Sequence, residues 1–438
     1  MIKRIAVALL LVAGTQLYAQ NKVDDVKTFT LKNGMKFLVL EDNSIPNANM
    51  YLFYSVGSRN EHPGITGLSH FFEHMMFNGA KKYGPKQFDR TMEFNGGANN
   101  AYTTENVTVY TDWFPANAME TMFDLESDRI ANLAIDPKYV DSEREVVLSE
   151  RSTGLENSPW RTLGEMVSAT AYVEHPYGWS VIGYEEDIKN WTKQDLEYYF
   201  KTYYAPNNCT VVVSGNVKLA EVKRLAEKYM EPIPAQAPAP KVHLVEPPQT
   251  GERRITVQKQ VNAPYMMIAY HVPESKSKDY YALDILSSVL TSGNSSRLYT
   301  SLVDEKQLAT SIFSRYGESF DPTLFQFYIS SNKGKSLDEV EKTVYAELEK
   351  IAKEGITQNE LQKIKNQKLM EFYSSIETID GKSNSLGTYE LFFGDYKKMF
   401  SAPDEYAKVS LDDVKRVANT YFKKSNRTVG VLKANVEE

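Results

Sequence analysis

The sequence predicts an α+β protein of two tandem homologous domains, each a mostly antiparallel sheet with helices packed on one face. Three observations carry this: short alternating apolar runs set among longer segments of helical period, a proline-rich stretch near mid-chain, and an internal similarity spanning it. Length agrees, because 438 residues exceed what one hydrophobic core usually supports and imply two domains of roughly 200 residues.

The N-terminus has the parts of a secretory signal: Lys3 and Arg4, an apolar run over 5–12, and the small residue Ala19 before Gln20. The run is well short of the ~20 residues of a spanning helix, and no cysteine follows Ala19. Removal of 1–19 and export to the periplasm or beyond are expected, with no stable membrane anchor. Strands are expected at 37–40, 50–54, 107–110 and 210–214, and the Asn33-Gly34 pair marks a tight hairpin turn. Helices are expected at 116–134, 137–152, 338–352 and 358–375. Six of the 18 prolines fall between Pro232 and Pro248, the composition of a semi-rigid linker. It divides the chain into an N-terminal domain at 24–231, a linker at 232–250 and a C-terminal domain at 251–438.

The halves also match in detail. Thr202-Tyr203-Tyr204 and Asn208-Cys209-Thr210-Val211 align without a gap, 218 residues on, with Thr420-Tyr421-Phe422 and Asn426-Arg427-Thr428-Val429. Upstream of each match a capping pair starts an amphipathic helix, Thr192 with Asp195 and Ser410 with Asp413. Strand-like runs at 48–57 and 263–273 correspond at an offset of 215.

Composition narrows the function. With 42% hydrophobic and 24% charged residues the chain is an ordinary globular protein, and its net charge of -7, or -9 without Lys3 and Arg4, argues against nucleic acid as a partner. The only cysteine, Cys209, excludes an intramolecular disulfide and reads as a buried strand residue before the apolar run 210–213.

The chemistry concentrates in Gly67-Leu68-Ser69-His70-Phe71-Phe72-Glu73-His74-Met75-Met76-Phe77, which has no helix breaker after Gly67. Residues four apart share a helix face, so His70 and His74 can hold one ion, and Glu73 beside them can reach a water on it. An acidified water with a neighbouring carboxylate base is the chemistry of amide hydrolysis. Phe71 and Met75 read as core. Two imidazoles leave a zinc site one protein ligand short. The helix opening at Asp136-Pro137 carries Glu143 and Glu150 two turns apart on one face, and either could ligate while the other supports.

At these residues the chain resembles the pitrilysin/insulinase family of zinc metallopeptidases, the inverted His-x-x-Glu-His class, in its processing-peptidase-like branch. The likeness runs from about residue 29 to 436 and includes Gly57-Ser58-Arg59, Asn100-Ala101-Tyr102-Thr103, His175-Pro176-Tyr177-Gly178 and Tyr204-Ala205-Pro206-Asn207-Asn208. It implies a zinc-dependent endopeptidase of unfolded peptides, one Zn2+ per chain, two similar α+β domains, and often dimers closing a chamber. It further implies Glu150 as third ligand beside His70 and His74, Glu73 as general base, Glu143 as support for the metal site, and Asn100, Ala101 and Tyr102 as a substrate-binding edge strand.

One expected feature is missing. Active single-chain members carry an Arg and a Tyr seven residues apart in the second domain, and those positions fall on Val303 and Thr310. The second repeat likewise has Ile285 and Val289 where the first has His70 and His74. Arg297, Tyr299, Arg315 and Tyr316 lie nearby as substitutes under another alignment. The expectation is a heteromeric enzyme in which a related subunit supplies the pair. A self-sufficient homodimer, a scaffold subunit and a small-molecule zinc hydrolase are the competing readings.

Overall fold

The computed structural model describes residues 23–434, so the expected signal at 1–19 lies outside the described residues. The first half contributes β1 (Val26–Thr30), β2 (Lys36–Glu41), β3 (Asn47–Tyr54), β4 (Ala98–Thr103), β5 (Thr108–Pro115) and β6 (Cys209–Gly215), in the order β1-β2-β6-β3-β5-β4. The second contributes β7 (Arg253–Gln258), β8 (Tyr265–Val272), β9 (Ala309–Arg315), β10 (Thr323–Ser331) and β11 (Arg427–Lys433), in the order β7-β11-β8-β10-β9. Apart from β1 the orders correspond strand for strand. All ladders are antiparallel except β2 with β6 and β7 with β11, and that parallel pair recurs at the same place in each sheet.

The local signals act as their chemistry requires. Leu31 N–H donates to Met35 O at 2.9 Å to close the Asn33-Gly34 turn between β1 and β2. Thr192 and Ser410 form capping boxes with Asp195 and Asp413. Asp136 caps the helix Pro137–Asn157 by accepting the Lys138 N–H at 2.9 Å. Cys209 is buried in β6, and burial pushes its thiol up, away from thiolate chemistry. One detail shifts. The ladders set Phe53 opposite Thr210 and Ala269 opposite Thr428, so β3 and β8 correspond one residue beyond the 215 read from sequence. A one-residue slip would turn every side chain to the other face, so the ladder decides the correspondence.

Each half packs its own helices on one face of its sheet, through Phe37, Val39, Met50 and Leu52 in the first and Met266, Ile268 and Tyr270 in the second. The intervening residues point the other way and are buried as well. Leu38, Leu40, Tyr51 and Phe53 lie against the helix Ile379–Phe392 of the second half. Met267, Ala269 and Leu432 lie against the helix Pro159–Ala171 of the first half. Each sheet therefore takes its second cover from the other half. A fully buried Leu or Phe contributes roughly 1.5–3 kcal/mol, and polar contacts fix the register: Ser383 Oγ donates to Asn49 Oδ1 at 2.7 Å and lies 2.8 Å from Ser214 Oγ.

Residues 232–252 join the halves without helix or strand. The segment is pinned to the first half by Glu246, whose carboxylate accepts the backbone N–H groups of Val173 at 3.0 Å and of Glu174 and His175 at 3.1 Å. Among the described residues no helix is long and apolar enough to cross a membrane.

Glycine allows the borrowed helices to sit close. A Cβ on Gly387 would lie 2.1 Å from the Phe53 ring, and one on Gly430 would lie 2.3 Å from Val167 Cγ2. Gly387→Ala is expected to lower the unfolding free energy by about 1–3 kcal/mol through overpacking, whereas the same change on an open helix surface would raise it by up to ~1 kcal/mol. Urea titration of both proteins separates these signs.

Candidate metal centre and substrate cavity

The helix Leu68–Met75 starts at Gly67, whose φ of +91° favours glycine and whose Cβ would strike Ile182 O at 2.4 Å. Glycine has no side chain to cap the helix, and Glu61 does it instead. Its carboxylate accepts the Gly67 N–H at 2.7 Å and the Ser69 N–H at 2.8 Å. Phe71, Phe72 and Met75 are fully buried, as expected for core, and two tyrosines reach the helix backbone: Tyr110 OH donates to Phe72 O at 3.0 Å and Tyr204 OH to Ser69 O at 3.1 Å. The remaining face presents His70, Glu73 and His74.

The helix Pro137–Asn157 packs against it. Arg144 Nη2 donates to Trp191 O at 3.0 Å, and Arg151 forms a two-pronged pair with Glu165 at 3.0 and 2.7 Å. Glu143 and Glu150 thereby meet different atoms of the histidines. Glu143 Oε1 lies 2.8 Å from His74 Nδ1, and Asn78 donates to Glu143 Oε2 at 2.7 Å. Glu150 Oε2 lies 3.6 Å from both His70 Nε2 and His74 Nε2. Ligand atoms of His70, His74 and Glu150 all fall within 4.8 Å of one another, the one such group among the described residues.

This donor set fits a zinc ion. Two imidazole nitrogens and one carboxylate oxygen are the ligands of open zinc sites, and a tetrahedron with bonds of about 2.0–2.1 Å has edges of about 3.3 Å. In the tautomer that donates Nδ1–H to Glu143, His74 has its Nε2 free to bind an ion beside Glu150. A proton or a metal cation between Nε2 and the Glu150 carboxylate satisfies both groups. Burial first, then the neighbouring His74 and Arg161, push His70 down to about 3, so its ring is neutral. For His74 burial lowers the pKa, but the Glu143 hydrogen bond and the surrounding carboxylates outweigh it. The His74 contact in turn holds Glu143 below its usual value.

A cavity of about 610 Å³ lies between the two halves over this site, with His70, Glu73 and Glu150 on one wall. Burial raises the Glu73 carboxyl, opposed by the neighbouring Thr103 of β4. β4 is the outermost strand of its sheet. Its pairing with β5 continues to Thr104, whose N–H donates to Val107 O at 2.9 Å. By the alternation of an antiparallel ladder, Asn100 and Tyr102 turn their backbone groups to β5, while Asn99, Ala101 and Thr103 turn theirs to the free edge. The Tyr102 side chain reaches the second half, donating to Asn384 Oδ1 at 3.2 Å.

The candidates for the missing pair separate. Arg297 is committed to Glu360 at 2.7 and 2.9 Å, and Tyr299 packs into the second core. Val303 packs there too, and the Thr310 hydroxyl donates to Ser330 O at 3.2 Å. Arg315 and Tyr316 line the cavity, and the buried Tyr316 hydroxyl has no hydrogen-bond partner among the described residues. Sequence reasoning passes over Glu61 and Arg161. The latter lines the cavity with Nη2 3.6 Å from Glu150 Oε1. A glycine opening a helix without a capping side chain was the available sign of Glu61, while Arg161 left no local sign.

Fold and site together define the class of two-domain metallopeptidases. Within it, the chain belongs to the insulinase family, peptidase family M16: residues 36–185 match the insulinase model and 190–368 the model of the M16 inactive domain. It is 33% identical over 97% of its length to the zinc protease PqqE of Helicobacter pylori, covering 96% of that protein. It is 27% identical over 90% of its length to the mitochondrial-processing peptidase subunit beta of Blastocladiella emersonii, covering 85% of it. A crystal structure of a protease from Helicobacter pylori superposes with a TM-score of 0.90 at 33% identity, covering 93% of this chain and 99% of that one.

Burial pushes the Glu61 carboxyl up to about 8 from 4.5, against the Ser69 and Gly67 N–H groups. The folded state thus holds a proton that the unfolded chain releases, so stability is highest at low pH and is lost as pH rises toward 8. One such group contributes up to about 1.4 kcal/mol per pH unit. Between pH 5 and 8 the unfolding free energy of Glu61→Gln is expected to fall less steeply than that of wild type, as read by denaturant titration; parallel curves would refute the assignment.

Proposed function

We propose that the chain is a zinc-dependent endopeptidase of unfolded peptides, with one zinc per chain held by His70, His74 and Glu150 and with Glu73 as general base. The observation that carries this reading is the meeting of three donor atoms beside a cavity that His70, Glu73 and Glu150 line and the free edge of β4 borders. Zinc bound there supplies the polarisation that makes a water nucleophilic near neutral pH. Glu73 takes the proton of the attacking water and returns it to the departing amine, and a carboxyl raised by burial suits both transfers. Glu143 holds the His74 ring through Nδ1, supported by Asn78. A peptide joins the β4 edge as a further strand, bonded through the outward groups of Asn99, Ala101 and Thr103 and flanked by the side chains of Asn100 and Tyr102.

Who supplies the groups that grip the substrate carbonyl decides the assembly. The absence of the Arg/Tyr pair at Val303 and Thr310 supports a related subunit as partner. Arg315 and Tyr316 at the cavity wall support the second reading, a self-sufficient chain acting alone or as a homodimer. Retention of every donor and of the base weighs against a scaffold.

Assay of the purified chain alone separates these readings. Glu73→Gln is expected to keep its zinc while losing about 10²–10⁴-fold in peptide cleavage, and His70→Ala to lose both; cleavage that survives Glu73→Gln refutes the assignment. Full activity without a partner, reduced in Arg315→Ala, excludes the heteromer. We also propose export, on the strength of Lys3, Arg4, the apolar run and Ala19. Mass spectrometry of the mature protein should find Gln20 at its N-terminus, and an intact Met1 would refute that.

A further inference from the structure

The loop between β9 and β10, residues 316–322, is anchored at its middle in the second half. Ser319 N–H donates to Ser275 Oγ at 2.8 Å, and Phe320 stacks on Phe392 with ring centroids 4.6 Å apart. Its end before β10 is held by the first half. Asp321 Oδ2 accepts the Arg59 Nε–H at 2.7 Å and a second bond from Arg59 Nη2, and it lies 3.3 Å from Nε2 of the buried His175. Asn106 Oδ1 accepts the Phe320 N–H at 3.1 Å, and the Arg59 guanidinium lies over the Phe320 ring at 5.3 Å. Arg59 is itself tied to the turn that ends the edge strand, its N–H donating to Glu105 O at 3.0 Å. Glu246 of the interdomain segment accepts the His175 N–H, so that side of the grip is held as well.

The same loop forms part of the cavity wall. Tyr316, Gly317 and Glu318 face the space bounded on the other side by Tyr102, Thr103 and Glu105. We propose that Asp321 is a positioning residue for peptide hydrolysis: gripped by Arg59 and His175, it clamps this loop of the second half to the end of β4 and sets the gap in which an extended peptide must lie. Asp321 itself does not line the cavity. A partly buried carboxylate bound by two N–H groups of one planar guanidinium, with the His175 ring packed beside it, has one favourable arrangement, which makes it a spacer of fixed length. His175 and Arg59 hold the Asp321 carboxyl below its usual value against the opposing effect of burial.

The kinetic part of this proposal rests on the peptidase reading above; the structural part does not. Asp321→Asn keeps the size of the side chain and removes its charge. KM for an unfolded peptide is expected to rise about tenfold with kcat changed less than about twofold, because binding is lost without loss of the reacting groups. Zinc content is expected to be unchanged, amide hydrogen exchange over 316–322 to quicken, and Asp321→Glu to recover part of the KM. Unchanged exchange overturns the clamp, and quickened exchange with unchanged KM overturns the positioning role. If Asp321→Asn folds poorly, Arg59→Lys carries the same comparison from the other side of the pair. A wild-type chain that cleaves nothing would sink the peptidase reading, while exchange would still decide the clamp.

Discussion

Each sheet has a face that its own half cannot cover, and the reciprocal loan of a helix is the constraint on which the rest of the molecule depends. The second half seals the first sheet with Ile379–Phe392, and the first half seals the second sheet with Pro159–Ala171. Sheets buried on both faces are stable only while both covers are in place, so neither half presents a complete core by itself. The loan also bears on the chemistry. Pro159–Ala171 follows Pro137–Asn157 after the single residue Ser158, which ends one helix and caps the next by accepting the Arg161 N–H at 3.2 Å. The helix that seals the second sheet is therefore tied to the one that carries Glu143 and Glu150. Packing of the halves and the position of the donors are one problem.

What was legible in the sequence follows from how local each signal is. His70 and His74 lie one helical turn apart and the capping boxes at Thr192 and Ser410 span three residues, so each could be read from adjacent residues alone. The choice between Glu143 and Glu150 was not legible, because two turns apart on one helix they are equivalent until the histidine rings show which nitrogen each meets. Two-sided burial left a sign that the reading of alternating runs passes over: 37–40 and 211–213 are unbroken apolar runs, where a sheet covered on one side would alternate with polar residues. That sign does not say which helix supplies the second cover. Contacts such as Arg59 with Asp321, 262 positions apart, belong to the tertiary fold and leave no spacing to read.

The second half shows what becomes of a metal-site scaffold when the donors are gone. Ile285 and Val289, aligned in the sequence with His70 and His74, are buried in its core. The helices Tyr280–Thr291 and Gln358–Ser375 are instead joined by a cation of the chain's own: Lys368 Nζ lies 3.0 Å from Asp284, which also accepts the Tyr406 hydroxyl at 2.6 Å. A partly buried ion pair completed by a further hydrogen bond can hold two helices in register without a ligand.

In the first half, by contrast, the helices are held by several contacts that stand apart from the donors, besides the one from Glu143 to His74. Tyr110 and Tyr204 fix the backbone of Leu68–Met75, Glu61 caps it, and Arg144 and Arg151 fix Pro137–Asn157, none of them through His70, His74 or Glu150. Glu150 is thus held 3.6 Å from both histidines by a frame built largely of other residues. The arrangement suits a catalytic site better than a structural one. A structural zinc gives its binding energy to folding and is enclosed by its ligands, whereas a site held open by its surroundings can keep one coordination position for chemistry. Under the proposed peptidase reading, the frame leaves the donor cluster open for reaction, and the clamp across the cavity sets the gap beside it.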